Sequence, residues 1–224
     1  MDARRAAVLG AIGIERFVSR APAAGLAVGA AATDVSTLDW AALDARVAAC
    51  TRCGLAATRT RTVFGVGDRG ARWFVVGEAP GADEDRAGEP FVGAAGQLLN
   101  SMLRAVGLGR EQVYIANVLK CRPPENRDPA PAEVGCCLPY LARQIELVAP
   151  HLVLCVGRIA AQSVLGVDTS IGRLRGQVHV LPGGGGVPVV ATYHPSYLLR
   201  APTEKSKAWQ DLQLAMGVAL GRGT

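Results

Sequence analysis

The apolar positions of this chain fall into two patterns. Some form short unbroken runs that close on Gly, Asn or Thr, and others recur at helical spacing. Trp73–Gly77 (WFVVG), Gln112–Asn117, His151–Gly157 and Val187–Thr192 are of the first kind. They predict buried parallel strands, because a strand covered on both faces needs no polar alternation. Helical spacing marks Asp39–Cys50, with Ser36 or Thr37 as N-cap, and Gln97–Val106, with Leu98, Leu99, Met102, Leu103 and Val106 apolar. It also marks Ala132–Val148, Ile159–Leu165 and Lys205–Leu220. Strand, loop and helix alternate four times. The expected fold class is therefore α/β, a three-layer α/β/α sandwich with a central four-stranded parallel sheet. Loops 78–96, 117–131 and 193–203 all leave strand C-termini and should converge on one site.

The ends and the composition refine this picture. Residues 1–20 read as a short amphipathic helix with Ala6, Leu9, Ile12 and Phe17 on one side, and 21–37 as a flexible linker. The main domain is then 38–224, and the helix is free to dock on it or on a protein partner. Arg4 and Arg5 ahead of Ala6–Ile14 have the outline of a secretory signal, but Glu15 and Arg16 interrupt it. No apolar run is long enough to span a membrane. Aromatic residues make up only 5% of the chain, so a loop Phe91 or Tyr197 carries weight. A net charge of +5 leans modestly toward a polyanionic partner such as DNA.

Candidate chemistry sits in the cysteines and the three loops. Cys50 and Cys53 form C-x2-C, and Cys121 and Cys137 follow as C-x15-C after 67 intervening residues. Four thiolates from distant segments suit structural Zn or a [4Fe–4S] cluster, in a reducing compartment. Cys155, inside an apolar run, reads as core. The first loop, GEAPGADEDRAGEPFVG, is rich in Gly and carboxylates. Asp83 and Asp85 read as solvated, and Glu84 as the candidate for positioning or activating water. Phe91 is either a platform for a base or a hydrophobic plug. Asn117, directly after a strand, offers a carboxamide that matches a nucleobase edge, or else a turn. Lys120, Arg122 and Arg127 suit phosphate contacts. His194, in HPSYLLR, suits a developing oxyanion.

The segments GEAPGADEDRAGEPFVGAAGQLLN, YIANVLKCRPPENRDPAPAE and HPSYLLR resemble the signature segments of the family 4 uracil-DNA glycosylases, the iron–sulfur members of their superfamily. The resemblance covers about residues 45–216, with the four cysteines in register. It implies a cytoplasmic, nucleoid-associated base-excision repair enzyme that flips deoxyuridine out of single- or double-stranded DNA and hydrolyses its N-glycosidic bond, acting as a monomer. It implies that Glu78, Ala79 and Gly81 line the uracil pocket through their backbone. Phe91 would stack on the base, and Asn117 would read its edge and reject cytosine. His194 would stabilise the leaving uracil, with Glu84 as partner for water. Sister families carry an Asp at the position of Ala79, so no carboxylate is implied there. Lys120, Arg122, Ser196, Leu198 and Arg200 would contact DNA, with Leu198 either the wedge that fills the vacated stack or a hydrophobic helix cap. Cys50, Cys53, Cys121 and Cys137 would hold a structural [4Fe–4S] cluster, with Zn as the alternative.

Two other readings compete. A non-catalytic iron–sulfur or Zn module leaves Phe91, Asn117 and His194 unexplained. A covalently trapping relative in the same superfamily uses a nucleophilic His near the second loop, and KCRPPENRDPAP contains none.

Overall fold

The computed structural model describes residues 35–221, so the helix and most of the linker expected over 1–37 lie outside the described residues. The elements in chain order are α1 (Trp40–Ala48), β1 (Val66–Gly67), β2 (Trp73–Gly77), α2 (Ala82–Ala87), α3 (Ala94–Ala105), β3 (Tyr114–Asn117), α4 (Pro131–Val148), β4 (Leu152–Val156), α5 (Arg158–Leu165), α6 (Ile171–Leu174), β5 (Val178–Val180), β6 (Pro188–Thr192), α7 (Pro195–Arg200) and α8 (Lys205–Ala219). Among the described residues no helix is long and apolar enough to cross a membrane.

The strands form one sheet in the order β1-β3-β2-β4-β6-β5. The four strands expected from sequence are its parallel centre. The sheet has six strands rather than four, because β1 and β5 add antiparallel edges. These edges span two and three residues, and β5 is half exposed, so neither leaves an apolar run to read.

Successive side chains of a strand point to opposite faces, and each face has its own core. Phe74 and Val76 of β2 join Leu141 and Ile145 of α4 and Val164 of α5 on one side. Trp73 and Val75 join Leu99 and Leu103 of α3 and Leu212 and Ala215 of α8 on the other. This double covering is the three-layer architecture.

Two local expectations change. The cap of α1 is Asp39, whose carboxylate accepts from the Ala42 N–H at 2.9 Å, rather than Ser36 or Thr37. Val35, placed by sequence in the linker, is buried against Leu43, Val47 and Tyr140.

Candidate active site

The parallel strands end side by side, with Gly77 paired to Asn117 and Val156 to Thr192. The chain passes from β2 to β3 on one side and returns to β4 on the other. This reversal opens a crevice beyond the strand ends, where ligands of open α/β sheets bind. The crevice is a cleft of about 750 Å³ whose lining includes Glu78, Phe91, Asn117, Arg158, His194 and Tyr197. All three sequence-identified loops contribute to it.

At its base, Asn117 is buried and its Oδ1 has no hydrogen-bond partner. A buried orphan acceptor costs about 1–3 kcal/mol, which a ligand donor would recover. Gly77 makes the approach of Asn117 and Phe91 feasible: a Cβ there would stand 2.3 Å from Asn117 Oδ1 and 2.6 Å from the Phe91 ring. Phe91 is buried, with a left-handed φ of 55° that strains a non-glycine residue. The Arg110 guanidinium donates to the carbonyls of Pro90 and Phe91 and holds this conformation.

The Phe91 and His194 rings lie 5.7 Å apart, tilted by 31°. His194 is the N-cap of α7. Its Nδ1 accepts from the Ser196 N–H at 3.1 Å and lies 2.7 Å from the Ser196 hydroxyl. An Nδ1 that accepts from the backbone cannot carry a proton, so Nε2 does. Burial, reinforced by Arg200 and opposed by Glu84, pulls the imidazole pKa down to about 4. At neutral pH His194 is thus an uncharged Nε2–H donor on the wall of the cleft.

The carboxylates are bonded differently from the sequence expectation. Glu84 Oε2 accepts from the Gly81 N–H at 3.1 Å, and Oε1 accepts from Val92 and Gly93 at 3.0 and 3.1 Å. With three backbone donors in place, Glu84 staples the loop around Phe91. Asp85 is likewise not solvated; it is buried and accepts from the Thr60 and Arg61 amides. Asp83 is exposed and pairs with Arg86. Glu78 lines the cleft with no hydrogen bond to its carboxylate, and burial raises its pKa to about 7, with Asp128 adding to the rise and Arg158 opposing it. The structure thus frees Glu78, which sequence reading assigned only a backbone role. Ala79 and Gly81 also line the cleft.

Two of the DNA-contact residues are misplaced by sequence. Lys120 is buried, and its Nζ donates to Asn117 O at 2.8 Å, Gln144 Oε1 at 2.7 Å and Phe64 O at 3.3 Å, so it reaches no phosphate. Leu198 is 1% exposed and packs in the core with α3 and α8, so it is no wedge. Its neighbours Tyr197 and Leu199 are exposed, and Tyr197 lines the cleft. Ser196 and Arg200 line the cleft too, with Arg127 and Arg158. Arg122 is half-buried and donates to Asn126 Oδ1 at 2.7 Å.

None of the six cysteines is in a disulfide. Among the described residues no group of three His, Cys, Asp or Glu side chains stands ready to hold a metal ion. The chosen thiols nonetheless sense one another: burial raises the Cys121 pKa with a further push from Cys53 and Cys50, and raises Cys137 to about 12 with a push from Cys121. Cys121, Cys137 and Cys53 share a small apolar nest with Leu55 and Leu119. Arg59 donates to Cys121 Sγ at 3.2 Å and to Cys50 O at 2.8 Å. An all-sulfur, half-buried donor set with cationic neighbours fits a thiolate-bound cluster or zinc, whose charge would displace the thiol protons. Burial raises the Cys53 pKa with a further push from Cys136, whose own Sγ donates to Arg52 O at 3.3 Å.

Gly77, Arg110, Arg158 and Tyr197 were not singled out as site residues. A Gly closing the WFVVG strand was a readable signal, and so was a loop tyrosine in an aromatic-poor chain. Arg110 acts across 19 and 20 residues, and no local pattern announces that.

The model of the uracil DNA glycosylase superfamily matches residues 64–213. A type-4 uracil-DNA glycosylase of Archaeoglobus fulgidus is 48% identical over 172 residues, covering 75% of this chain and 86% of that protein. One from Thermotoga maritima is 46% identical over 156 residues, covering 69% and 80%. A type-5 uracil-DNA glycosylase of Pyrobaculum aerophilum is 36% identical over 149 residues, covering 59% and 64%.

Proposed function

The chain belongs to the uracil DNA glycosylase superfamily, with the type-4 enzymes, and from that premise we propose that it flips deoxyuridine out of DNA and hydrolyses its N-glycosidic bond. The observation that carries this reading is the orphan Asn117 Oδ1 beside Phe91. Uracil presents an N3–H donor to such an acceptor, where cytosine presents a bare nitrogen, and the ring of Phe91 offers a face for stacking. As the bond to C1′ breaks, negative charge collects on the uracil oxygens. A neutral Nε2–H on His194 stabilises that charge, an effect worth about 3–4 kcal/mol for one well-placed donor. A water molecule adds at C1′ and yields its proton to Glu78, whose pKa of about 7 suits a general base at neutral pH. No lysine lines the cleft among the described residues, which supports hydrolysis by water without strand cleavage through a Schiff base.

Tyr197 fills the stack vacated by the flipped base, and Arg127, Arg158 and Arg200 meet phosphates near the mouth of the cleft. Cys50, Cys53, Cys121 and Cys137 would hold a [4Fe–4S] cluster, with zinc the alternative. When bound, it supplies a structural tie between the segment of the first two cysteines, the Cys121 loop and α4. The test is an oligonucleotide with a single uracil, incubated with the protein and then treated with alkali. Scission only where uracil was present, and only after alkali, is the expected result. Absence of scission by folded protein overturns the reading.

A further inference from the structure

Lys120 is the least expected member of the site. A lysine amine buried without a carboxylate partner costs several kcal/mol if charged, and burial pulls its pKa down to about 7; a methionine would fill the same space without that cost. The three acceptors around Nζ, Asn117 O, Gln144 Oε1 and Phe64 O, match the three protons of an ammonium. Gln144 is itself fully buried and donates to Phe64 O at 2.9 Å, so the arrangement is closed on all sides. The Asn117 carbonyl lies at the last paired position of β3, and Lys120 is the group that satisfies it. The same residue adjoins the cysteines. Cys137 lies close enough to feel the charge of Lys120, and Cys121 follows it in the chain.

We propose that Lys120 is a positioning residue for base recognition, holding the Asn117 carboxamide at the floor of the cleft. The inference rests on the functional reading above. It assigns Lys120 neither phosphate binding nor chemistry: the side chain does not line the cleft, and its donors all point at carbonyl oxygens. Gly77 leaves room for Asn117, and Val118 and Leu119 donate to Gly77 O and Glu78 O at 2.9 and 3.0 Å. These bonds fix the chain on the β2 side. Lys120 fixes it from the side of Gln144 and Phe64. An unpaired Oδ1 keeps one direction only if the backbone beneath it cannot turn.

The experiment compares wild type with Lys120→Met in three measurements: inhibition by free uracil, affinity for a duplex bearing a tetrahydrofuran abasic analogue, and iron per protein. The expected result is a uracil Ki about tenfold weaker, as for loss of a charged hydrogen bond, with abasic-DNA affinity and iron content unchanged. A general structural role would weaken uracil and abasic DNA together or lower the iron content, and either result overturns the inference. So does an unchanged uracil Ki. If Lys120→Met does not fold, Gln144→Met removes one acceptor, leaves the cleft intact, and should weaken the uracil Ki by about threefold. An unchanged Ki in that variant overturns the inference equally. Failure of wild type to release uracil would instead refute the functional reading, so the two are separable.

Discussion

Replacing Glu78 by Gln should make the protein more stable and less active at once, with a pH dependence that identifies the cause. Burial raises the Glu78 carboxyl from an ordinary 4.5 to about 7. Between those values the folded state binds more protons than the unfolded chain. Stability from this group is therefore fully present below about pH 4.5 and is lost as pH rises through 7. The full rise corresponds to about 3 kcal/mol, and partial exposure of the side chain brings the expected effect to roughly 1–2 kcal/mol. Gln keeps the shape and carries no charge. Its Tm at pH 8 should exceed that of wild type by about 2–8 °C, and most of that gain should vanish by pH 5. The wild-type kcat/KM should climb with pH and level off above about 7, as Glu78 loses its proton. The variant should lose this limb and about 100-fold or more in kcat. Paired thermal scans and single-turnover uracil release at both pH values are the assays. A Tm difference that is the same at pH 5 and pH 8 would refute the burial argument. Full activity in the variant would refute the role of Glu78 as base.

Four further outcomes follow from the same geometry. Glu84→Ala strips an acceptor from three backbone N–H groups and should cost about 1–3 kcal/mol by denaturant titration, while the folded fraction keeps the pH limb assigned to Glu78. Leu198→Ala should cost about 2–5 kcal/mol as a core cavity, whereas Tyr197→Ala should leave Tm unchanged and weaken abasic-DNA binding; the reverse pattern would restore Leu198 as the wedge. His194→Ala and Asn117→Ala should each lower kcat by about 100-fold or more with DNA affinity nearly kept, and equal loss of both would remove these roles. Cys121→Ser should lower the iron or zinc content of purified protein, and normal metal content would exclude Cys121 as a ligand.

The parallel core was legible because each central strand is apolar on both faces and ends on a small or polar residue. Convergence of the three loops followed from strand direction alone. What could not be read was the partner of each side chain. Lys120 and Leu198 occupy loop and helix positions that look solvent-facing in sequence. Lys120 is drawn inward by carbonyls of residues 64 and 117 and by Gln144, and Leu198 by α3 and α8. The edge strands escaped notice for a related reason: two or three residues paired on one side carry no periodic signal. Iron against zinc was equally beyond spacing, since both accept four thiolates.

The division of roles proposed for Glu84 and Glu78 has a physical logic. A general base needs a carboxylate with few donors, because each hydrogen bond to the charged form lowers its basicity. A loop that holds Phe91 at φ 55° needs the opposite, a carboxylate that collects donors. Strain of this kind, on the order of 1–3 kcal/mol, persists only where the surroundings over-determine it. Glu84 binds the amides of Val92 and Gly93 just after Phe91, and Arg110 binds the carbonyls of Pro90 and Phe91 themselves. Gly96 completes the clamp, since a Cβ there would stand 1.8 Å from the Phe91 carbonyl oxygen. The ring is therefore fixed before any base arrives, and the ordering cost is met on folding rather than on binding. An acid-rich loop of this kind divides its carboxylates between scaffold and chemistry, and the number of backbone donors each one holds tells them apart.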